Sequence, residues 1–150
     1  MSEFTSFRTK LKAWLEGIAA VSAAVGSRVY AGLPAAQPTF PIITYALRNR
    51  RSATDVGAPA WAFETEISLY GPDLDVLETV HDAILENLAA NAETMGATLS
   101  EAGVSACVLF QYESSDEDPH EAFIVEGRTI HALILRCPTV LIKAEEAYPT

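Results

Sequence analysis

Glu64 and Glu66 are the two residues whose spacing most suggests chemistry. They sit two apart in an alternating run, Trp61 to Tyr70, so both carboxylates fall on one face of a strand, about 7 Å apart. Paired carboxylates serve as acid and base when their environments differ. Here the alternation sets them opposite Trp61, Phe63, Thr65, Ile67 and Leu69, so they read as the solvated face of a half-buried strand. His81, His120 and His131 fall on different elements, and Cys107 and Cys137 form no paired ligand motif, so no zinc spacing arises. His81 reads as a partly buried packing residue on a helix. No glycine-rich strand–loop–helix passage is present, and no serine lies in a nucleophile elbow. The expectation is a chain without catalytic residues, metal ligands or cofactor.

Two charged clusters remain. Arg48, Arg50 and Arg51 open a polar stretch, Arg48 to Pro59, that also holds Asp55. Asp116, Glu117, Asp118 and Glu121 form an acidic stretch, Ser114 to Glu121. Both are expected to be loops. The arginine cluster is short and lacks interleaved aromatics, which argues against a nucleic-acid site. Opposite charges on separate loops suit a head-to-tail contact between copies, which closes into a ring if the rotation allows. Either loop could equally face a different partner.

Some framework must position these clusters. Phe4, Phe7, Leu11, Trp14, Leu15, Ile18, Val21 and Val25 recur at helical spacing, with Ser2 as N-cap and Gly26 as the stop. Strands are expected at Arg28–Tyr30, Ile42–Leu47, Trp61–Tyr70 and Val104–Glu113. A second helix is expected from about Leu74 to about Ala92, capped by Asp73 and buried along Leu74, Leu77, Ile84, Leu85 and Leu88. Strand material follows from about Phe123 to Cys137, with a bend at Gly127. Pro138 should end it, leaving Val140–Ile142 as a short edge strand or part of a docking tail over 138–150. The order α-β-β-β-α-β-β predicts an α+β fold, a mostly antiparallel sheet with both helices on one face.

Composition sets outer limits. The chain has 150 residues, enough for one domain, and 49% are apolar, enough for a core. A net charge of −10 disfavours binding a phosphate backbone. The two cysteines read as reduced buried thiols, neighbours if their strands pair. No signal peptide or membrane-spanning stretch is visible, so a reducing cytoplasm is the expected place of synthesis.

The succession Arg28-Val29-Tyr30, Gly32-Leu33-Pro34, Pro41-Ile42-Ile43-Thr44-Tyr45 resembles the tail terminator (tail completion) proteins of long-tailed bacteriophages. The likeness runs in order and spacing from Phe4 to Leu88, through the amphipathic helix, the strand Trp61–Tyr70 and the helical stripe Leu74–Leu88. It has no firm counterpart for Ser114–Glu121 or for the chain after Pro138. The resemblance implies a non-enzymatic virion protein, an α+β subunit of a hexameric ring at the head-proximal end of the tail. That ring would stop tube polymerisation and meet the tail tube protein and the head–tail connector or stopper. DNA would pass through its negative lumen without specific binding. Competing readings are another neck or minor tail component, or a small α+β ligand-binding domain or enzyme.

Overall fold

The computed structural model describes residues 2–34, 38–53, 59–118, 124–125 and 128–143, and only the backbone of 118, 124, 125 and 128. Helix α1 (Glu3–Glu16) begins where expected: the Ser2 hydroxyl accepts from the Thr5 N–H at 3.1 Å. It buries Phe7, Leu11, Trp14 and Leu15. The stripe does not continue as one helix. The chain breaks at Gly17–Ile18 and restarts as α2 (Ala19–Val25). A Cβ at Gly17 would lie 3.3 Å from the Ala13 carbonyl, and the Gly17 N–H bonds that same carbonyl, so glycine lets the last turn close tightly. The break turns Ile18, Val21 and Val25 into the core. Gly26, at φ 58°, ends α2 as expected.

The main sheet runs β1 (Val29–Ala31), β2 (Ile42–Ser52), β3 (Ala60–Gly71), β8 (His131–Lys143) and β4 (Ser105–Phe110), in that spatial order. Strand β5 (Ser114–Asp118) follows β4 along the same side of β8. Strands β6 (Ile124–Val125) and β7 (Arg128–Thr129) pair as a separate two-stranded antiparallel sheet. Among the described residues only β1 and β2 pair parallel; the other pairings are antiparallel. Helix α3 (Leu74–Ala90) is capped by Asp73, whose carboxylate accepts from the Asp75 N–H at 3.0 Å, and it buries Leu77, Val80, Ile84 and Leu88. A short α4 (Met95–Thr98) follows.

The fold is therefore α+β, with α1 and α3 on one face of a mostly antiparallel sheet, as the order of elements predicts. Phe63, Ile67 and Leu69 of β3 and Leu133, Leu135, Cys137 and Leu141 of β8 meet the helices. Phe7 packs edge-on against Phe63, with centroids 5.5 Å apart, and Trp14 against Phe110 at 5.9 Å. The Trp14 indole N–H donates to the Asn87 side-chain oxygen at 2.7 Å and ties α1 to α3. Deep on this face the Thr139 hydroxyl donates to the Cys137 carbonyl at 2.9 Å. Its oxygen is then free to accept from the Thr65 hydroxyl at 2.7 Å, so both buried hydroxyls are satisfied.

Three expectations need correction. Pro138 does not end a strand: it sits inside β8, an interior strand paired on both sides. Its carbonyl accepts from the Gln111 N–H, so it faces the β4–β5 side. The missing N–H falls on that side too, where β4 has ended opposite Thr139 and β5 has not begun opposite Arg136. Residues 138–143 thus belong to the sheet; 144–150, the rest of the suggested tail, lie outside the described residues. The stretch from Arg48 is not loop either, because β2 continues to Ser52 across a bulge between Arg48 and Arg51, with Asn49 at φ 56°. The acidic stretch is strand from Ser114 to Asp118, paired with Ala132–Arg136. Cys107 and Cys137 are free and buried on neighbouring strands. Gly127 and Phe123 lie outside the described residues.

Candidate subunit interface

The face of the sheet turned away from the helices carries a row of alternating charge. Arg48 on β2 lies 3.7 Å from Glu66 on β3. Arg136 on β8 lies 3.9 Å from Glu64 and 4.0 Å from Glu66, and it is hydrogen-bonded to Asp116 on β5. The pleat explains the row: register sets Arg48 beside Glu64, Glu66 beside Arg136, and Arg136 beside Ser114, so all share one face. The centre and the ends differ in weight. Glu66 is 18% exposed, whereas Arg48 is 60% exposed. Solvent screens the outer contacts to little, while the inner glutamates depend on Arg136. Replacing Arg136 with alanine should destabilise the fold by about 1–3 kcal/mol, the cost of leaving half-buried Glu64 without its cation and Glu66 with only the exposed Arg48. Adding Glu64→Gln and Glu66→Gln should recover most of it in denaturant titrations.

The structure thus joins one arginine of the basic cluster to one aspartate of the acidic cluster, within one chain and through a bridge of three residues. Glu64 and Glu66, set aside as a solvated face, are part of that bridge. Arg50 instead stacks over the Phe4 ring, 4.5 Å from its centroid. Arg51 and Glu117 are exposed. Asp118 is a backbone position in β5, and Asp55 and Glu121 lie outside the described residues.

The two edges of the sheet differ. At one, β1 covers β2 only from Ile43 to Tyr45; from Ala46 to Ser52, β2 has no second strand among the described residues. Gly32, at φ 81°, bends the chain where β1 ends, and Leu33 follows it, 54% exposed. At the other edge, α4 closes over β4 as far as Cys107: the Ser100 hydroxyl oxygen accepts the Cys107 N–H at 2.8 Å. Gly96 makes that approach possible, since a Cβ there would sit 2.7 Å from the Cys107 carbonyl. Beyond Cys107 the cover stops. A bulge between Cys107 and Leu109 turns Val108 outward, 55% exposed. Val108 and Tyr112 border a groove of about 520 Å³ against Leu85, Leu88 and Ala92.

One hydrogen-bonded chain has the order of a nucleophilic triad. His81 Nε2 lies 2.7 Å from the Ser115 hydroxyl, His81 Nδ1 lies 3.2 Å from Asp82, and the Tyr112 hydroxyl lies 2.7 Å from that of Ser115. One proton arrangement satisfies all three: Tyr112 donates to Ser115, Ser115 to Nε2, and Nδ1–H to Asp82. Acyl transfer also needs donors aimed at a developing oxyanion. Ser115 lies in a regular strand rather than at a strained turn with converging N–H groups, and His81 is not among the groove's lining residues. The chain's evident work is to pin β5 to α3. Sequence reading missed it because Ser115 is 34 residues from His81 and carries no motif. Among the described residues no group of three or more His, Cys, Asp or Glu could hold a metal ion.

No protein-family model matches the sequence, and no curated protein matches it. A solved structure does: a chain from the virion of the native gene transfer agent particle matches with a TM-score of 0.57 at 14% identity. The fold is one found in a virion. The match covers 88% of this chain and 94% of that one. Such coverage cannot be reached without residues beyond Leu88, so the shared fold includes strands from the last third.

The sequence held a signal that cluster-hunting overlooks. Residues 1–51 contain seven basic and two acidic residues, net +5; residues 52–150 contain three basic and eighteen acidic residues, net −15. The sheet order turns that split into geography. Strands β1 and β2 come from the basic part and form one edge, while β4 and β5 come from the acidic part and form the other.

Proposed function

We propose that this chain is a structural virion protein whose copies form a hexameric ring on the end of a phage-type tail tube. The ring ends tube polymerisation and offers the surface that the head–tail connector binds. The observation that carries this reading is the fold shared with a gene transfer agent virion chain over nearly the full length of both. The ordered succession from Arg28 to Tyr45 and the amphipathic elements on either side of it add the tail-end assignment. Net charge supports it as well: at −10 per copy, a ring lines its lumen with potential that repels DNA phosphates, so the genome slides rather than sticks.

The test is electron microscopy of particles assembled without this protein. Tails of uncontrolled length, unattached to heads, are expected. Tails of normal length joined normally to heads would contradict the assignment. Normal tail length with failed joining would favour another neck component instead.

A further inference from the structure

We infer that copies dock edge to edge: the β1–β2 edge of one copy sits on the β4–β5 edge of the next, with Leu33 against Val108 in the groove. This deepens the ring reading above and rests on it. Two independent observations point to the same pair of surfaces. The first is apolar. The exposed large apolar residues among those described are Leu33, Val108, Leu109 and Tyr112. Leu33 stands alone at one edge, just after the turn at Gly32. The other three stand together at the opposite edge, on the rim of a groove. A single protruding side chain and an apolar recess on opposite edges are what a head-to-tail contact needs, whereas a two-fold contact needs one self-complementary patch.

The second observation is charge. Beside Leu33, the uncovered part of β2 carries Arg48, Arg50 and Arg51 and no acid; beside the groove, Glu113, Asp116 and Glu117 are exposed with no basic residue between them. Arg48 and Asp116 are already paired with opposite charges within their own chain, whereas Arg51 is exposed and Arg50, stacked on Phe4, keeps an unneutralised charge, so these two are the ones to face Glu113 and Glu117 of the neighbour. The bulge in β2 and the charges on both edges block indiscriminate pairing of bare strands. Association then requires the correct opposite edge, and like edges repel.

Disulfide trapping tests this directly. In one chain Leu33 and Val108 lie on opposite edges, four strand spacings or roughly 19 Å apart, too far for a bond within a chain, which needs Cα atoms within about 7 Å. The native Cys107 and Cys137 are buried and free, so they compete little. Full-length protein carrying Leu33→Cys and Val108→Cys, treated with diamide, should give a ladder of covalent multimers ending at a closed hexamer. Each single variant should give dimers at most. Glu113→Arg with Glu117→Arg should cut the cross-linked yield at least about tenfold, and adding Arg50→Glu with Arg51→Glu should restore it. A ladder without a closed end supports the docking and contradicts the ring. No cross-link in the double-cysteine protein overturns the docking, and native mass spectrometry of the same sample then reports separately whether copies form a ring.

Discussion

Replacing Phe63 with alanine is expected to destabilise the protein by about 3–5 kcal/mol. Phe63 is 3% exposed and is where the first helix meets the sheet: Phe4 and Phe7 both pack on it, at 5.9 and 5.5 Å. Few neighbours can collapse into the space, because Phe7 is itself held against Phe110. A loss of that size is a large share of the roughly 5–15 kcal/mol that keeps a domain folded. It should lower the melting temperature by about 6–20 °C. Denaturant titration gives the free energy directly. A change below about 1 kcal/mol would show that the α1–β3 contact is not central to the core.

Alkaline pH should destabilise the fold through its two thiols. Burial pushes the Cys107 thiol up to about 11, although its bond to the Leu109 carbonyl works the other way. Burial pushes Cys137 up to about 12, with the Glu64 carboxylate adding to the shift. Both start from an ordinary value of 9.0. The folded state therefore holds its thiol protons to higher pH than the unfolded state does. Above pH 9 the unfolded chain releases protons that the folded chain keeps, so stability falls as pH rises. The slope is roughly 1.4 kcal/mol per thiol per pH unit, until Cys107 ionises near 11 and Cys137 near 12. At pH 10 the two together should cost about 2–3 kcal/mol relative to neutral pH. A Cys107→Ala/Cys137→Ala protein carries its own constant packing cost, so the readout is the slope. Its stability should fall less steeply between pH 9 and 11. Equal slopes would mean that neither thiol is held protonated by the fold.

Much of this fold is visible in the residue pattern, because burial imposes periodicity. The stripe through Phe7, Leu11, Trp14 and Leu15 and the alternation from Trp61 to Leu69 each record a face that meets the core. The caps at Ser2 and Asp73 are readable for a different reason: each is local, a side-chain oxygen accepting a backbone N–H two or three residues on. What misled were residues whose meaning depends on a distant partner. Pro138 reads as a strand-breaker until the gap between β4 and β5 is known to lie beside it. Arg48 to Ser52 and Ser114 to Asp118 read as loops because charge density hides strands that are held by register with β3 and β8. The helix break at Gly17 was visible only as a glycine inside an otherwise good stripe.

The residues of the proposed interface are legible in part. Both charged clusters stand out in the sequence as blocks of one sign. Part of that charge is spent inside the chain, since Arg136, an unremarked residue in an apolar run, links Glu64 and Glu66 to Asp116. The division of basic and acidic residues at about position 51 was available from the start. It acquires meaning only once the sheet order carries the two parts to opposite edges.

Location in the assembled particle is the most direct test. A cryo-electron microscopy map of the intact particle, with this chain fitted to density, reports both place and copy number. The tail-end assignment predicts six copies in one ring between the last layer of tube subunits and the head–tail connector, with β1–β2 edges against β4–β5 edges. Finding the chain in the capsid shell, at the far tip of the tail, or absent from the particle would contradict it.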